Sequence, residues 1–395
     1  MSTDHTRRRI LKASAGLFVP GLFGTIARAA AAAEADNRIL VVFEMSGGND
    51  GLNTVVPYAD DRYYRLRPNI GIRPDKLRRL DERFGFNPGL AGFERLWKDG
   101  QLAIVHGCGY ENPSFSHFTS MAYWHTATPN SGDDYGWVGR LADTMSPQPT
   151  PNYVLNIDST QSLAVRSRVH TPVVFDDPER FMRSALHEER ALLDDVTVAS
   201  RDNPSRRFLE RVAVSARESS LAVREAWSRY KTPIDYGIVP LGLPKVAACI
   251  AAGLPARLYY AGYRNNAFDT HVQQPDLHQR LLTYTADAIS GFLRDMERLG
   301  QADRVSLLIF SEFGRRAAEN TSLGTDHGTA NVMFFAGKAV KGGHYGTPSD
   351  LGALDAGGAS AHQHVAGVED GLDVGVDRLD EDPGDLGDAG PSRRA

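Results

Sequence analysis

The segment Ile39-Leu-Val-Val-Phe-Glu-Met-Ser-Gly-Gly-Asn-Asp-Gly51 indicates the architecture of this chain. Its first five residues are continuously apolar, which is typical of a parallel strand that is buried on both faces. Glycine, asparagine and aspartate follow, and these residues favour a tight turn. A buried strand that runs into a polar, glycine-rich loop predicts an α/β protein whose loops meet at one sheet edge.

Five further apolar runs predict strands at residues 102–106, 153–157, 257–261, 305–310 and 332–336. The clearest helix is predicted at 275–299, where an apolar stripe recurs at helical spacing and Gly300 follows as a stop signal. This alternation predicts a doubly wound, mostly parallel sheet covered by helices. Residues 178–230 are charged and helix-rich, and we expect them to form a helical cap insertion over the sheet.

The composition indicates a globular domain, which we place at residues 34–348. With 395 residues, 42% hydrophobic and 24% charged, the chain is long enough to bury a large core. The only two cysteines, Cys108 and Cys249, lie in apolar contexts that are typical of buried thiols, although an oxidising compartment would also permit a bridge.

The first 33 residues have the features of a removable export signal. A basic run, Arg7-Arg8-Arg9, precedes a mildly apolar stretch and then an alanine-rich stretch, and the whole resembles a twin-arginine signal peptide. The apolar stretch is too short for a stable membrane span. We therefore expect the twin-arginine translocase as a partner and a periplasmic or extracellular location. A basic N-terminal tail is the alternative.

The mature chain is predicted to be acidic. Removing residues 1–31 deletes five basic residues and one acidic residue, which takes the formal charge from −5 to −9. An acidic surface argues against a nucleic acid partner.

Residues 349–395 differ sharply in composition from the rest. After Tyr345 the chain has no aromatic residue, isoleucine, methionine or lysine, while glycine and aspartate are abundant. Such a segment buries too little apolar area to offset the entropy of ordering, so we expect a low-order tail. A shift of reading frame or a truncation near residues 351–358 is a second interpretation of the same change.

Loops that follow the predicted strands carry most of the ligand-type side chains. Two acid and histidine pairs stand out, Asp269 with His271 and Asp326 with His327. Because carboxylates and imidazoles bind divalent ions, and because such loops converge at one sheet edge, we predict a metal site. Each element also has a structural alternative: the glycine-rich loop as a tight turn, Ser116 and Asp269 as helix caps, and Asp326-His327 as a satisfied turn.

Five phrases in order resemble the domain of unknown function 1501 family. They are Ser46-Gly-Gly-Asn-Asp-Gly-Leu-Asn-Thr-Val-Val-Pro-Tyr58, Ser116-His-Phe118, Phe268-Asp-Thr-His271, Ser311-Glu-Phe-Gly-Arg-Arg316 and Gly324-Thr-Asp-His-Gly-Thr-Ala330. That resemblance implies twin-arginine export and the alkaline-phosphatase-like superfamily, which includes sulfatases. It also implies an alkaline-phosphatase-like sheet.

The resemblance implies a set of site residues. The metal ligands would be Asp50, Asp269, His271, Asp326 and His327, with Glu312 either as a ligand or as an orienting group. Ser116 would be the nucleophile, with His117 beside it and Ser114 as second choice, and Arg315 would hold an oxyanion. Glu44 is an alternative to Asp50, and His344 is a candidate for a further histidine ligand.

This residue set implies hydrolysis of phosphate or sulfate esters. Zinc or manganese would activate the serine hydroxyl and neutralise the charge of the transferred group. The expected substrate is an anionic small molecule or envelope component. The alternative is a catalytically inactive envelope protein that binds an anionic ligand.

Overall fold

The computed structural model describes residues 37–181, 204–329, 331–354 and 363–364, with only the backbone described for 204–215 and 363–364. The predicted signal peptide at 1–33 lies outside these residues. So do residues 182–203 of the predicted insertion and most of the predicted tail, including residues 355–358 of the proposed frame change near 351–358.

The described strands number fourteen. They are β1 Ile39–Glu44, β2 Val55–Val56, β3 Arg78–Arg79, β4 Gly85–Phe86, β5 Leu102–Gly109, β6 Val154–Asn156, β7 Val173–Val174, β8 Leu258–Gly262, β9 Val305–Phe310, β10 Gly314–Arg315, β11 His327–Gly328, β12 Asn331–Ala336, β13 Gly343–Gly346 and β14 Gln363–His364.

Eight α-helices are described as well. They are α1 Gly51–Thr54, α2 Asp61–Leu66, α3 Ala91–Lys98, α4 His117–Thr126, α5 Trp137–Met145, α6 Pro204–Arg229, α7 Leu243–Ala251 and α8 Gln274–Arg298. Two short 3₁₀ turns lie at Leu163–Val165 and Ala302–Arg304.

Nine strands form one sheet with the order β13-β5-β12-β9-β1-β8-β6-β7, and β14 also pairs with β5. The central strand β1 is parallel to both of its neighbours, β8 and β9. Strand β12 alone runs antiparallel to the strands beside it, β5 and β9. It follows β9 without an intervening crossover helix, and a parallel return would need one.

The sheet separates two hydrophobic cores because successive side chains of a strand point to opposite faces. Val41 and Phe43 of β1 pack in one core with residues of α3, α7 and α8. Val42 packs in the other core with Val138 and Ala142 of α5. Helices therefore cover both faces, and the predicted α/β class with a doubly wound, mostly parallel sheet is confirmed.

The predicted elements agree closely with the observed ones. Strands were predicted at all six of the positions now occupied by β1, β5, β6, β8, β9 and β12, and the predicted helix 275–299 matches α8. Helix α6 lies within the predicted helical insertion, where Val223 and Ala226 are buried. The antiparallel direction of β12 is compatible with the predicted sheet, which was mostly parallel.

Three other sequence predictions meet described residues. Cys108 and Cys249 are both unpaired and buried, as their apolar contexts indicate. Leu351 is buried and packs near Val56 and Tyr63, although it lies just inside the segment predicted to have low order. No helix in the described part of the chain has the length and apolar character needed to cross a membrane.

Candidate metal centre

The loops that follow β1, β5, β8 and β9 meet at one edge of the sheet, as the topology requires. The loop after β8 carries Asp269 and His271, and Glu312 comes directly after β9. His117 begins helix α4, which follows β5. His327 lies on β11, which pairs with β10 and thereby faces Arg315.

Three acceptor atoms from this edge lie close together. Asp269 Oδ1 is 3.0 Å from His271 Nε2 and 3.1 Å from His327 Nε2. The two Nε2 atoms are 3.0 Å apart. These three atoms form the acceptor triangle.

The other nitrogen of each of these two rings already has an acceptor. His327 Nδ1 is 2.7 Å from the carbonyl oxygen of Phe115, to which it donates. His271 Nδ1 is 3.3 Å from Asp326 Oδ1. Because a neutral imidazole carries one N–H, both Nε2 atoms then present lone pairs to the Asp269 carboxylate. With the hydrogens placed in this way, no hydrogen lies between the three atoms, and a shared cation would relieve their mutual repulsion, adding to the contact that Arg315 makes with Asp269 Oδ1.

A third imidazole approaches the second oxygen of the same carboxylate. His117 Nε2 is 3.4 Å from Asp269 Oδ2, and it is buried and makes no hydrogen bond in the described structure. His117 Nδ1 is 2.8 Å from Glu312 Oε1, which as a carboxylate accepts the Nδ1 hydrogen. His117, Asp269 and His327 have ligand atoms within 4.8 Å of one another.

The donor set fits a divalent metal. Bonds of about 2.1 Å at tetrahedral or octahedral angles separate neighbouring ligand atoms by about 3.0–3.4 Å, which is the spacing of the acceptor triangle. Each histidine also has an acceptor behind its second nitrogen, the usual arrangement for metal-binding imidazoles. The partnerless Nε2 of His117 points to the same conclusion. His117, Asp269, His271 and His327 are the candidate ligands.

The electrostatics of the site favour positive charge. Burial alone would raise the pKa of Asp269, but the positive charge and hydrogen bond of Arg315, together with the neighbouring histidines, outweigh it and lower the pKa to about 2. The hydrogen bond to Glu312 raises the pKa of His117, so an added proton or cation is favoured there. Burial lowers the pKa of His327, which keeps that ring neutral and able to bind a metal.

Arg315 does not have the predicted role. Its guanidinium is buried and donates to the carbonyl oxygens of Gly48 and Thr325 at 2.6 and 2.9 Å, and to Asp269 Oδ1 at 2.8 Å. It also donates to the carbonyl oxygens of Gly47 and Phe268. Because these acceptors use its donors, Arg315 holds three loops together and is not placed to bind an oxyanion.

Asp50 does not join the other predicted ligands. Its carboxylate is fully buried and forms an ion pair of 2.6 Å with Arg67, and Gln274 donates to the same oxygen. Burial would raise the pKa of Asp50, but Arg67 outweighs that effect and lowers it. Asp50 also caps α1 by accepting from the backbone N–H of Asn53. It is a structural carboxylate, and the prediction of a metal ligand is corrected here.

Asp326 and Glu312 lie behind the candidate ligands; Asp326 was predicted as a ligand, and Glu312 as a ligand or an orienting group. Asp326 Oδ1 contacts His271 Nδ1 and accepts from Asn320 Nδ2 at 3.1 Å. Glu312 accepts from the backbone N–H of Gly47 and contacts His117 Nδ1. The alternative orienting role given to Glu312 matches this geometry.

His117 was predicted as a catalytic residue beside the nucleophile, and the structure gives it the geometry of a ligand. The sequence feature that points to this role is that His117, like His271, follows a buried strand. The carbonyl oxygen of Phe115, which accepts from His327 Nδ1, could not be predicted from the sequence, because every residue has a backbone carbonyl.

Ser116 lies directly before His117 at the start of α4 and is exposed. Its hydroxyl makes no capping bond and no other hydrogen bond in the described structure. Ser114 Oγ instead accepts from the backbone N–H of Ser116 at 3.3 Å. Of the two candidate nucleophiles, Ser116, the first choice, therefore has the hydroxyl with fewer hydrogen bonds.

Two alternative ligands lie in other polar clusters. Glu44 Oε2 contacts His125 Nε2 at 3.1 Å and the hydroxyl of Tyr260. His344 Nδ1 contacts His106 Nε2 at 2.8 Å, and its Nε2 lies 3.0 Å from Asp81 Oδ2. Neither belongs to the acceptor triangle, and His344 as a further ligand is corrected.

Glycine allows the loops to pack closely enough to build the site. Gly47 has φ +120°, and a Cβ there would meet the backbone nitrogen of Asp269 at 2.5 Å. A Cβ on Gly324 would meet the carbonyl oxygen of His271 at 2.2 Å. The glycine-rich run after β1 is therefore more than a turn, since it gives the Asp269 loop room to approach.

Fold and site together define an α/β protein with a histidine and aspartate centre suited to a divalent metal. The chain belongs to the family described as "Protein of unknown function (DUF1501)", whose model matches residues 36–366. The predicted family is thereby confirmed. A comparison with curated proteins gave no match.

Solved structures show only distant likeness. The C-terminal periplasmic domain of EcEptC from Escherichia coli, in complex with Zn, has 9% identity and a TM-score of 0.33, with 76% of this chain and 74% of that chain covered. Ps i-CgsB has 9% identity and a TM-score of 0.32, with 79% and 68% covered. Likeness at this level does not indicate what this chain does.

Proposed function

We propose that this protein is an exported metal-dependent hydrolase of phosphate or sulfate esters. The observation that supports it most is the acceptor triangle of Asp269, His271 and His327, whose three atoms have the spacing of ligands around one metal ion. His117 adds a fourth candidate ligand atom, its Nε2, which lies 3.4 Å from Asp269 Oδ2. Zinc suits three imidazoles and a carboxylate best, and manganese is the alternative.

A bound metal would supply a Lewis acid that polarises the ester and neutralises developing charge. The chain's own residues hold that centre rigid. Glu312, Asp326 and the Phe115 carbonyl fix the three rings, and Arg315 fixes the carboxylate. Such preorganisation lowers the cost of reaching the transition state.

Ser116 is the proposed nucleophile. Its Oγ forms a bond to phosphorus or sulfur while the bond from that atom to the alcohol oxygen breaks, and the serine proton ends on the departing alcohol. Water then cleaves the serine ester, which restores the hydroxyl and releases the inorganic anion. The exposed, unengaged hydroxyl next to His117 supports this assignment.

Export by the twin-arginine translocase is part of the proposal. It rests on the Arg7-Arg8-Arg9 run and the alanine-rich stretch before residue 34. That route carries folded proteins, so the metal would be bound before export. A fusion of residues 1–36 to a reporter, with Arg8 and Arg9 changed to lysine as control, tests it. Export that survives the change would contradict the proposal.

Metal content and hydrolysis test the central claim. Purified protein is expected to bind at least one zinc or manganese per chain and to hydrolyse 4-nitrophenyl phosphate or sulfate. His271→Gln is expected to lose metal, and His344→Gln, the matched control outside the triangle, to retain it. Equal metal content in both variants would reject the assigned centre.

Binding of an anionic envelope component without turnover is the second candidate function. It is favoured by the internal hydrogen bonding of Arg315, which removes the cation predicted to hold a transferred group. Ser116→Ala distinguishes the two functions. The variant loses hydrolysis if Ser116 is the nucleophile, whereas a binding protein shows no hydrolysis and binds its anionic ligand equally well in both forms.

A further inference from the structure

Large apolar side chains are exposed around the metal centre. Six such side chains are exposed in the described part of the chain: Phe115, Phe118, Leu221, Ile238, Val272 and Leu277. Three of them, Phe115, Phe118 and Val272, lie within two residues of His117 or His271. We call these three residues the apolar rim.

The rim cannot lie far from the metal centre. Two residues of chain span at most about 7 Å, so each rim Cα is within that distance of a histidine Cα. Phe115 is closer still, because its carbonyl accepts from His327. Single exposed apolar residues are ordinary, but several beside a polar site indicate an interaction surface.

The degree of exposure is high for side chains of this size. Phe118 is 89% exposed, Val272 is 61% exposed and Phe115 is 42% exposed. Phe118 is the second residue of α4, directly after the candidate ligand His117. Leaving such side chains in water costs free energy that contact with an apolar partner would recover.

The exposed side chain of Arg316 brings a positive charge to the segment that pairs with the strand of His327. Arg316 is exposed and follows Arg315 on the chain, and its backbone N–H donates to the carbonyl oxygen of Asp326 at 2.9 Å. The hydrogen bond from Asn320 lowers the pKa of Asp326 most, and the charge of Arg316 acts in the same direction. An exposed guanidinium on the segment that pairs with the strand of His327 is suited to contact an anionic headgroup.

We propose that the substrate is a lipid phosphate or sulfate ester presented in a bilayer. Its anionic group would reach the metal centre while Phe118, Val272 and Phe115 contact the acyl region and Arg316 the headgroup layer. This inference rests on the proposed hydrolase. Each rim residue lies within two residues of a candidate ligand, so one amphiphilic molecule could reach both the rim and the centre.

Vesicle flotation tests the rim without relying on activity. Wild-type protein is expected to float with vesicles of phosphatidylglycerol and phosphatidylcholine, with or without chelator. Phe118→Ser with Val272→Ser is expected to reduce the bound fraction at least tenfold. Ile238→Ser is the matched control, since Ile238 is 87% exposed but lies between α6 and α7, and it should float like wild type.

Substrate preference tests the lipid assignment. The ratio of kcat/KM for phosphatidic acid in vesicles to that for 4-nitrophenyl phosphate should fall about tenfold in the double variant, whereas Ile238→Ser should keep the wild-type ratio. An unchanged ratio, or wild-type protein that does not float, would overturn the inference. Preference for soluble decyl phosphate without flotation would also overturn it.

The two proposals fail differently. If no ester is hydrolysed but flotation depends on Phe118 and Val272, the hydrolase is rejected and docking on lipid is supported. If soluble esters are hydrolysed but flotation is absent, the hydrolase stands and the lipid substrate is rejected.

Discussion

The carboxylates behind the histidines control how well the centre binds metal. Glu312→Gln keeps the size of the side chain but weakens its acceptance from His117 Nδ1, so we expect metal affinity to fall about 10- to 100-fold. Competition with a chromogenic chelator measures this affinity. Glu319→Gln is the control, because Glu319 accepts from Asn69 and Ile70. Equal affinity in both variants would contradict the orienting role.

Asp50 and Arg67 form a buried ion pair whose loss should affect stability alone. Asp50→Ala leaves a buried guanidinium without its carboxylate, which is expected to lower the free energy of unfolding by about 3–5 kcal/mol. Urea unfolding measures the loss, and metal content measured below the unfolding transition should stay at the wild-type level. Metal loss at wild-type stability would instead restore Asp50 as a ligand.

His106 makes stability depend on pH. Burial, aided by His344 and Arg83 and opposed by Asp81, lowers the pKa of His106 to about 3. An unfolded histidine titrates near its ordinary value of 6.5, so the unfolded chain binds a proton that the folded chain excludes. Stability from this group is present above pH 6.5 and falls by up to about 1.4 kcal/mol per pH unit toward pH 3.

Urea unfolding between pH 7 and pH 4 checks this expectation. His106→Asn should reduce the slope of the unfolding free energy against pH, while His278, whose pKa burial lowers to about 4, keeps part of it. An unchanged slope in the variant would show that His106 is not the group responsible.

At the scale of elements, the contact between the β1 loop and the Asp269 loop builds the centre. Gly47→Ala places a Cβ at a φ of +120° and against the backbone of Asp269. We expect about 1–3 kcal/mol of destabilisation from the conformation, and weaker metal binding because the loop must move. Gly253→Ala is the control, with a φ of +70° but nothing within 4 Å of its Cβ. A similar metal affinity in both would refute the loop contact.

Strand β12 shows how connections set sheet direction. The β9–β12 segment holds only the small β10–β11 hairpin, and without a crossover helix the chain returns antiparallel. The same segment carries Glu312, Arg315 and His327 to the sheet edge. A short return of this kind therefore supplies both the reversed strand and a large part of the centre.

For the whole molecule, metal binding should stabilise the fold. A ligand at about 100 times its dissociation constant adds about 2.7 kcal/mol, which for a domain of this size raises Tm by about 4 °C. Thermal unfolding with zinc and with chelator measures the shift. His271→Gln should show no shift, and a zinc effect that persists in that variant would place the metal elsewhere.

Pattern alone was sufficient for the sheet and for α8, because apolar period depends on local sequence. It also singled out Asp269, His271 and His327, which the structure brings together. The division between ligand, orienting group and structural ion pair was not predictable. Asp50 forms an ion pair with Arg67, and Arg315 donates to backbone carbonyl oxygens. These contacts join residues that are distant in the chain. Which atom faces which is a property of packing, and only the folded loops bring those atoms together.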